Sequence, residues 1–470
     1  MGASDRSGPE EPQKKLRTGR VGRARKSGGL GIRSGTGFAL AGMRGLGRSD
    51  DRKADLYADA HRKAAEQMRL VLGQMKGAAT KLGQLASFVD NGMIPPEYRE
   101  IYQEVLAELR DSVPPMTTAQ VAEVFEADHG GPPDAVFAEF EDEPMAAASI
   151  GQVHRARLFD GTAVVVKIQY PGIADAIRAD LKNAKAFTWL MPLFAPGLDS
   201  DALVAEVERS LLEELDYRAE AAHQHRFAEA YRGHPFVVVP DVVAELCGER
   251  TLVAEEVSGA GFDEMCARSQ AERDRAGEIL FRFAFGTLYR FGFFNADTHP
   301  GNYAFCDDGR VVFYDFGTTK VLPRETFQEF VGLAALLVDG DVDGLFAECV
   351  RTGFVPRPDR VEPERFFGWL RAQLGELICD DAVMTVTPEM VAETVASASD
   401  PRNDWYSLTR QLNVPPDAIL IGRMEIGIVA VLARLRATAN FHRIASEWVR
   451  DAPPSTELGR IDADFFASRR

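Results

Sequence analysis

The sequence predicts an α+β protein with a helical N-terminal part, a strand-rich middle part and a helical C-terminal part. Three patterns indicate this order. Apolar residues recur every three to five positions over residues 56–89, which is typical of an amphipathic helix. The period falls to two over residues 136–169, where Asp160-Gly161 separates two apolar runs as in a β-hairpin. Helical patterns dominate again beyond Pro323.

Pro and Gly residues indicate where the N-terminal helices begin and end. Asn91-Gly92 ends the long helix, Pro95-Pro96 opens a second one, and a third is expected from Thr118 to about Asp128. The other elements expected along the chain are helices at 174–190, 200–232 and 272–292, strands at 236–245 and 250–257, and a short hairpin around 307–309.

The composition is that of a globular protein with an unusual N-terminus. Its 470 residues are 45% apolar and 27% charged, enough for two or three packed units. The net charge is -17, although residues 1–53 hold 13 Lys and Arg against 5 Asp and Glu. An acidic body argues against nucleic-acid binding. The basic segment is expected to be a flexible arm that meets anionic lipid headgroups, and a solvated tail fits its composition equally well.

The cysteines and the apolar runs indicate the compartment. The five cysteines form no CxxC pair, which favours a reducing cytosol over a disulfide framework or a zinc site. The sequence has no run of eighteen apolar residues and no signal-peptide pattern. We therefore expect a cytoplasmic protein whose membrane contact, if any, is peripheral.

The strongest chemical signal is NADTHPGN at 295–302, followed by VVFYDFG at 311–317. An Asp, an Asn five positions later and a further Asp in Asp-Phe-Gly form the pattern of kinases. In this pattern Asp297 accepts the proton of the attacking hydroxyl or water, while Asn302 and Asp315 hold Mg²⁺. Carboxylate and amide oxygens suit a hard cation that bridges phosphates. The sequence therefore predicts a site for ATP and Mg²⁺.

The second signal is VVVK at 164–167, an apolar strand that ends in a lysine. Burying an ammonium group is costly unless a negative group meets it. We expect Lys167 to bind phosphates and to pair with the acidic face of the 200–232 helix, with Glu220 as the favoured partner. The other members expected on that face are Glu213 and Asp216.

Six motifs in this order resemble the UbiB/AarF family of atypical kinase-like proteins. They are KLGQ at 81–84, AAASIGQVHRARL at 146–158, VVVKIQYPG at 164–172, ELDYRAE at 214–220, ADTHPGN at 296–302 and YDFG at 314–317. The resemblance covers residues 60 to about 350. It implies a protein-kinase-like bilobal fold with an added N-terminal helical extension, the KxGQ helix, and a mostly helical C-terminal lobe.

The resemblance also implies roles for individual residues. Lys81 and Gln84 would lie on a helix over the active site, where Glu214 and Asp216 would meet them. Glu220 would be the ion-pair partner of Lys167. The residues expected to replace the glycine-rich loop are Ala146, Ala147, Ala148 and Ser149, with Gly151 as the only glycine. The residues expected to meet adenine through backbone groups are Glu255, Glu256 and Val257.

Five segments follow from these assignments. They are a basic flexible arm at 1–54, an N-terminal helical extension at 55–130, a kinase-like small lobe with inserted helices at 131–258, a helical large lobe with the catalytic loop and Asp-Phe-Gly at 259–450, and a C-terminal tail at 451–470.

The resemblance shapes the expected reaction. A helix bearing Lys81 would occupy the place of a peptide substrate, and no Ala-Pro-Glu follows the Asp-Phe-Gly. We expect ATP hydrolysis or phosphate transfer to a small or lipid acceptor, in support of quinone or isoprenoid-lipid metabolism. Thr298, where the family commonly has Pro, is expected to have no effect. Contact with an anionic membrane or an isoprenoid lipid is expected at most peripherally, and a homodimer is left open.

Two alternatives remain. The first is a small-molecule phosphotransferase of the aminoglycoside or choline kinase type, which the DxHPGN loop also resembles. The second is a nucleotide-binding scaffold without turnover. The presence of Lys167, Asp297, Asn302 and Asp315 together argues against a scaffold, because a scaffold needs no general base.

Overall fold

The structure is a computed structural model that describes residues 115–148, 150–184, 209, 212–374, 377–399, 404–409 and 411–469. The predicted basic arm and the predicted KLGQ helix lie outside these residues, and so do Lys81, Gln84 and Ser149. Helices and short sheets alternate in the described part, so the predicted α+β class is confirmed.

Thirteen α-helices lie within the described residues. They are α1 (Thr118–His129), α2 (Ile173–Ala184), α3 (Tyr217–Tyr231), α4 (Phe262–Cys266), α5 (Gln270–Phe291), α6 (Arg324–Asp339), α7 (Val342–Arg351), α8 (Pro363–Leu374), α9 (Pro388–Ser399), α10 (Tyr406–Thr409), α11 (Pro416–Leu435), α12 (Phe441–Val449) and α13 (Glu457–Ala467).

Twelve short strands accompany them in the same part of the chain. They are β1 (Glu139–Phe140), β2 (Ala146–Ala147), β3 (Gly151–Arg157), β4 (Ala163–Gln169), β5 (Val237–Val238), β6 (Thr251–Glu255), β7 (Phe293–Asn295), β8 (Tyr303–Phe305), β9 (Val311–Phe313), β10 (Thr319–Val321), β11 (Met384–Thr385) and β12 (Thr438–Ala439).

The small lobe is built on an antiparallel sheet in the order β1-β3-β4-β6, with β2 paired to β3. The predicted hairpin is present as β3 and β4, and its turn contains Gly161 at φ +90°. Successive residues of a strand point to opposite faces. Val164, Val166 and Ile168 of β4 are fully buried on one face, so Lys167 projects from the other face.

Helix α1 belongs to the small lobe rather than to a separate extension. Val121, Val124 and Phe125 of α1 are buried in the same apolar cluster as Val164 and Val166 of β4. The sequence had placed this helix in the N-terminal extension at 55–130, whereas its apolar face packs on the small-lobe sheet. The apolar spacing identified the helix correctly, but periodicity does not tell which sheet an amphipathic helix will cover.

The predicted single helix at 200–232 is interrupted. Helix α3 begins only at Tyr217, and the side chain of Asp216 caps it by accepting a hydrogen bond from the backbone N–H of Arg218 at 3.1 Å. An aspartate competes for free backbone N–H groups and so favours the first position before a helix. Glu213 pairs with Arg209 at 2.5 Å, so the expected common face of Glu213, Asp216 and Glu220 is wrong.

The large lobe surrounds helix α5, most of whose residues after Ala276 are buried. A capping box of Ser269 and Glu272 starts this helix, and Gly292 at φ +70° ends it. Helices α11 and α12 pack on it, and the hairpin β8–β9 follows it in the chain. The strand predicted at 236–245 is reduced to β5, which pairs in parallel with β9, because Pro240 cannot continue a ladder.

The C-terminal segment predicted as a tail is a packed helix, α13. Asp462 of this helix is 2% exposed, and its carboxylate pairs with Arg290 and with His234, the latter at 3.1 Å. The sequence pattern does not indicate this contact, because the partners of Asp462 lie on distant parts of the chain. Cys247, Cys266, Cys306 and Cys349 are free thiols. Among the helices that the structure describes, none combines the length and apolar character needed to cross a membrane.

Candidate active site

An ion cluster joins the two lobes at Lys167. Its Nζ lies 2.7 Å from Oε1 and 2.9 Å from Oε2 of Glu220 on α3, and 3.3 Å from Oδ2 of Asp315 in the Asp-Phe-Gly segment. The side chains of Lys167 and Glu220 are only 12% and 5% exposed. Three predicted site residues from distant parts of the sequence therefore meet at one point.

The electrostatics of this cluster keep Lys167 charged. Burial alone lowers the pKa of a lysine ammonium group, but the carboxylates of Asp315 and Glu220 outweigh it and hold the pKa well above its ordinary value. The ring of Tyr217 lies 5.0 Å from Nζ and adds a cation–π contact. A protonated lysine beside a half-buried carboxylate is suited to bind an anionic group such as a phosphate.

Asp315 reaches Lys167 because of the unusual backbone of its segment. Its φ is +55°, a left-handed value that is uncommon outside glycine but tolerated by Asp and Asn. Phe316 is fully buried against Phe227 of α3, with ring centroids 4.7 Å apart. The backbone N–H of Gly317 donates to Oδ1 of Asp315 at 3.2 Å. These contacts hold the Asp315 carboxylate at the lobe junction.

The 295–302 loop is held by its own side chains. The backbone N–H of Asp297 donates to Oδ1 of Asn295 at 3.0 Å, and Oδ1 of Asp297 accepts from the backbone N–H of His299 at 3.2 Å. Nδ2 of Asn295 donates to the carbonyl of Asp315 at 2.8 Å. A direct hydrogen bond therefore joins the loop to the Asp-Phe-Gly segment.

Asn302 lies next to the same segment through the β8–β9 hairpin. Its backbone carbonyl accepts from the N–H of Tyr314 at 2.9 Å, one step beyond the paired residues Tyr303 and Phe313. Asn302 and Asp315 thus lie at the same end of one hairpin. Both residues are partly exposed.

The donor set fits a magnesium ion. An amide oxygen and a carboxylate are hard ligands, and Mg²⁺ commonly takes its other ligands from water and substrate phosphates. Within the described residues no group of three or more His, Cys, Asp or Glu side chains forms a metal site. The predicted Asn302 and Asp315 pair would therefore need water and phosphate oxygens to complete the ligand shell of the ion.

Of the predicted Glu214 and Asp216 pair, only Glu214 faces the lobe junction. Glu214 is 8% exposed, and its Oε1 lies 3.4 Å from the hydroxyl of Thr318, just beyond Asp-Phe-Gly. Asp216 instead binds the guanidinium of Arg218 at 2.9 and 3.0 Å. Their expected contacts with Lys81 and Gln84 lie outside the described residues.

The alanine-rich segment forms a tight, exposed turn. Ala146 and Ala147 make up β2, and the backbone N–H of Ala148 donates to the carbonyl of Gly151 at 2.9 Å. A Cβ on Gly151 would lie 2.1 Å from the carbonyl oxygen of Ile168 in β4. The pairing of β3 with β4 therefore requires a glycine at this position. The sequence had suggested a different reason for it, namely the close approach of the backbone to phosphates.

The segment predicted to meet adenine follows β6 into the large lobe. The backbone N–H groups of Glu255 and Glu256 donate to carbonyls of Asp241 and Ala163, both at 2.9 Å. The Glu256 carboxylate pairs with Arg155 at 2.9 Å. The carbonyl of Val257 accepts a hydrogen bond from the Tyr314 hydroxyl.

Helix α11 contributes residues that sequence reasoning missed. Gly427 lies directly against Thr298, and Ile428 lines a small cavity together with Asp297 and Thr298. Burial lowers the pKa of Arg423 on the same helix, and the nearby Asp297 carboxylate opposes that shift. No local sequence motif indicates that these residues contact the loop, because α11 lies more than a hundred positions after it.

Comparison with known proteins identifies relatives of this arrangement. Residues 108–348 match the family model described as ABC1 atypical kinase-like domain. Atypical kinase COQ8B, mitochondrial, of Rattus norvegicus is 32% identical over 346 residues, which are 72% of this chain and 63% of that protein. Atypical kinase coq-8, mitochondrial, of Caenorhabditis elegans is 28% identical over 412 residues, 82% of this chain and 51% of that protein.

A solved structure is also similar. Rv3197 of Mycobacterium tuberculosis, determined as a complex with erythromycin, superposes with a TM-score of 0.59 at 32% identity, over 84% of this chain and 98% of that one. The chain spans about half to two thirds of the length of the curated relatives named above. The kinase-like fold is thereby confirmed.

Proposed function

The chain belongs to the ABC1 (UbiB/AarF) family of atypical kinase-like proteins, and from this premise we propose that it binds Mg-ATP between its lobes. We propose further that it hydrolyses the nucleotide or transfers its phosphate to a small or lipid acceptor, in support of quinone or isoprenoid-lipid metabolism. The observation that carries this proposal is the Lys167, Glu220 and Asp315 cluster at the lobe junction.

The site residues have separate proposed roles in phosphate binding, metal binding and proton transfer. Lys167, held by Glu220, binds phosphate oxygens as a point charge. Asn302 and Asp315 would hold the magnesium ion, which supplies charge neutralisation to the phosphates when it is bound. Asp297, oriented by Asn295 and His299, receives the proton of the attacking hydroxyl or water. Asn302 also contacts this loop, because its Nδ2 donates to the backbone carbonyl of Asp297 at 3.5 Å.

The names of the relatives support the metabolic half of the proposal. The Rattus norvegicus and Caenorhabditis elegans proteins are named as mitochondrial atypical kinases of the COQ8 type. No Ala-Pro-Glu follows the Asp-Phe-Gly, so the segment that closes over a peptide substrate in protein kinases is not recognisable in the sequence. The acceptor class therefore remains small molecules and lipids.

The experiment that tests this function is phosphate release from Mg-ATP with and without detergent-dispersed lipid. Wild type should release phosphate, and Asp297→Asn should lose activity by about two to four orders of magnitude, the usual contribution of a general base. Asp308→Asn is the matched control, because Asp308 is an exposed residue of the β8–β9 turn that pairs with Arg310. Equal rates for wild type and Asp297→Asn would overturn the assignment of Asp297.

A further inference from the structure

The linker between the lobes, residues 256–260, is fastened to the hairpin that ends at the candidate metal ligands. Ala260 and Phe305 exchange two backbone hydrogen bonds, both 2.9 Å long. Gly259 permits this contact, since a Cβ there would lie 2.9 Å from the backbone of Phe305. The linker therefore lies along β8 and not in open solvent.

Tyr314 adds a side-chain connection at the same place. Its hydroxyl donates to the backbone carbonyl of Val257 at 2.5 Å, and its backbone N–H donates to the carbonyl of Asn302 at 2.9 Å. The next residue is Asp315. One tyrosine thus connects the linker, the end of the 295–302 loop and the Asp-Phe-Gly segment.

The hydrogen bond to Val257 determines whether the Tyr314 hydroxyl can act as a donor or as an acceptor towards a ligand. A phenol has one proton to donate and two lone pairs that accept. The proton is engaged by the Val257 carbonyl, so only acceptor capacity is left for a group in the cleft. The Tyr314 residue as a whole is partly exposed.

We propose that Tyr314 is a base-selecting residue whose hydroxyl oxygen accepts a hydrogen bond from the 6-amino group of an adenine base and disfavours the 6-oxo group of hypoxanthine or guanine. This inference rests on the proposed function, because it needs a nucleotide whose base meets residues 255–257. An oxo group opposite the same oxygen would bring two acceptors together and leave both without a donor. The preference for adenine over a 6-oxo base therefore follows from the direction of the hydrogen bond between Tyr314 and Val257.

The test compares three ligands on the full chain: Mg-ATP, Mg-ITP and Mg-tripolyphosphate. ITP differs from ATP by the 6-oxo group, and tripolyphosphate has no base. Wild type should bind ATP about 10-fold more tightly than ITP. Tyr314→Phe keeps the ring and should weaken ATP about 3- to 10-fold, with ITP and tripolyphosphate changed by less than about 2-fold. The ratio of ATP to ITP affinity should therefore fall towards one.

A second variant separates selection from a general loss of stability. Tyr231→Phe also removes a tyrosine hydrogen bond, the buried 2.6 Å contact with Thr287, but in the core of the large lobe. It should leave the ATP to ITP ratio unchanged. If Tyr314→Phe keeps the wild-type ratio while wild type binds all three ligands, the inference is overturned and the proposed function stands. If wild type binds none of them, the proposed function itself is overturned.

Discussion

Gly427 of α11 lies against the hydroxyl oxygen of Thr298 so closely that a Cβ at position 427 would overlap it. Helix α11 can approach the 295–302 loop only because this residue has no side chain. Thr298, whose difference from the common Pro was expected to have no effect, is thus part of a tight contact beside Asp297. The position of the loop depends on a helix more than a hundred residues away.

Replacing Gly427 by Ala should therefore displace the loop. Overpacking of this kind costs about 1–3 kcal/mol of unfolding free energy, and phosphate release should fall with it. Gly422→Ala is the control on the same helix, because a Cβ there meets nothing within 4 Å. That change should stabilise the protein by up to about 1 kcal/mol through helix propensity. Thermal melts and phosphate-release rates of both variants check this, and equal behaviour of the two would contradict the contact.

Removing the Glu220 carboxylate should disturb Lys167. Glu220→Gln leaves the buried ammonium with Asp315 as its remaining charged partner in the cluster, so the lysine is drawn from its phosphate-binding position. Breaking such a buried pair costs about 3–5 kcal/mol when no compensation exists, and Asp315 should reduce this to roughly half. Urea unfolding and Mg-ATP titration measure the two effects.

The matched control for Glu220 is Glu213→Gln. Glu213 pairs with Arg209 on a surface where its side chain is 41% exposed. Exposed pairs contribute little, so unfolding and nucleotide binding should stay near wild type. If both variants bind Mg-ATP as wild type does, the lysine pair has no part in nucleotide binding.

Glu425 should give the protein a pH-dependent stability. Burial raises the pKa of this α11 carboxyl to about 8, from an ordinary value of 4.5. Between these values the folded state binds a proton that the unfolded state lacks. The unfolding free energy therefore falls as pH rises from about 4.5 to about 8, and below about 4.5 this carboxyl causes no loss. Glu425→Gln mimics the protonated form and should remove this loss.

The measurement is urea unfolding of both proteins at pH 5 and pH 8.5. The difference between their unfolding free energies should grow by about 4 kcal/mol in favour of Glu425→Gln at the higher pH. Glu364→Gln, at an exposed position of α8, serves as the control and should track wild type. A constant difference between Glu425→Gln and wild type would show that the carboxyl titrates normally.

Much of the site could be predicted from the sequence because its motifs are local. The DxxxxN and Asp-Phe-Gly spacing identified Asp297, Asn302 and Asp315, and the apolar strand before Lys167 implied a buried lysine that needs a carboxylate. The pairing with Glu220 was expected from the acidic residues of the 200–232 segment, and the family resemblance implied the same partner. Lys167, Glu220 and Asp315 meet at the lobe junction, whereas the roles assigned to all of these residues are proposals.

Contacts between distant elements could not be predicted. The approach of Gly427 to Thr298 and the bond from Tyr314 to Val257 depend on how separate elements pack, and no periodicity encodes that. Helix α13 was missed for the same reason, since Asp462 is stabilised by Arg290 from α5. The start of α3 after Asp216 could have been predicted from the sequence, because Asp commonly caps the beginning of a helix.

The basic N-terminal segment carries a prediction about membranes. We propose that residues 1–54 bind anionic lipid, each basic residue near the surface adding about 1 kcal/mol. Liposomes containing anionic lipid should retain the full chain better than a chain starting at Asp55, and zwitterionic liposomes should not distinguish them. Equal flotation of the two chains with anionic liposomes would remove the lipid role.

The most direct test of the magnesium-nucleotide site is a thermal-shift titration with Mg-ATP of wild type and Asp315→Asn. Asn tolerates the left-handed backbone at this position, so the variant should fold while lacking one carboxylate for the metal. Wild type should be stabilised progressively by Mg-ATP, and Asp315→Asn should show no stabilisation. Stabilisation of Asp315→Asn equal to that of wild type would contradict the site.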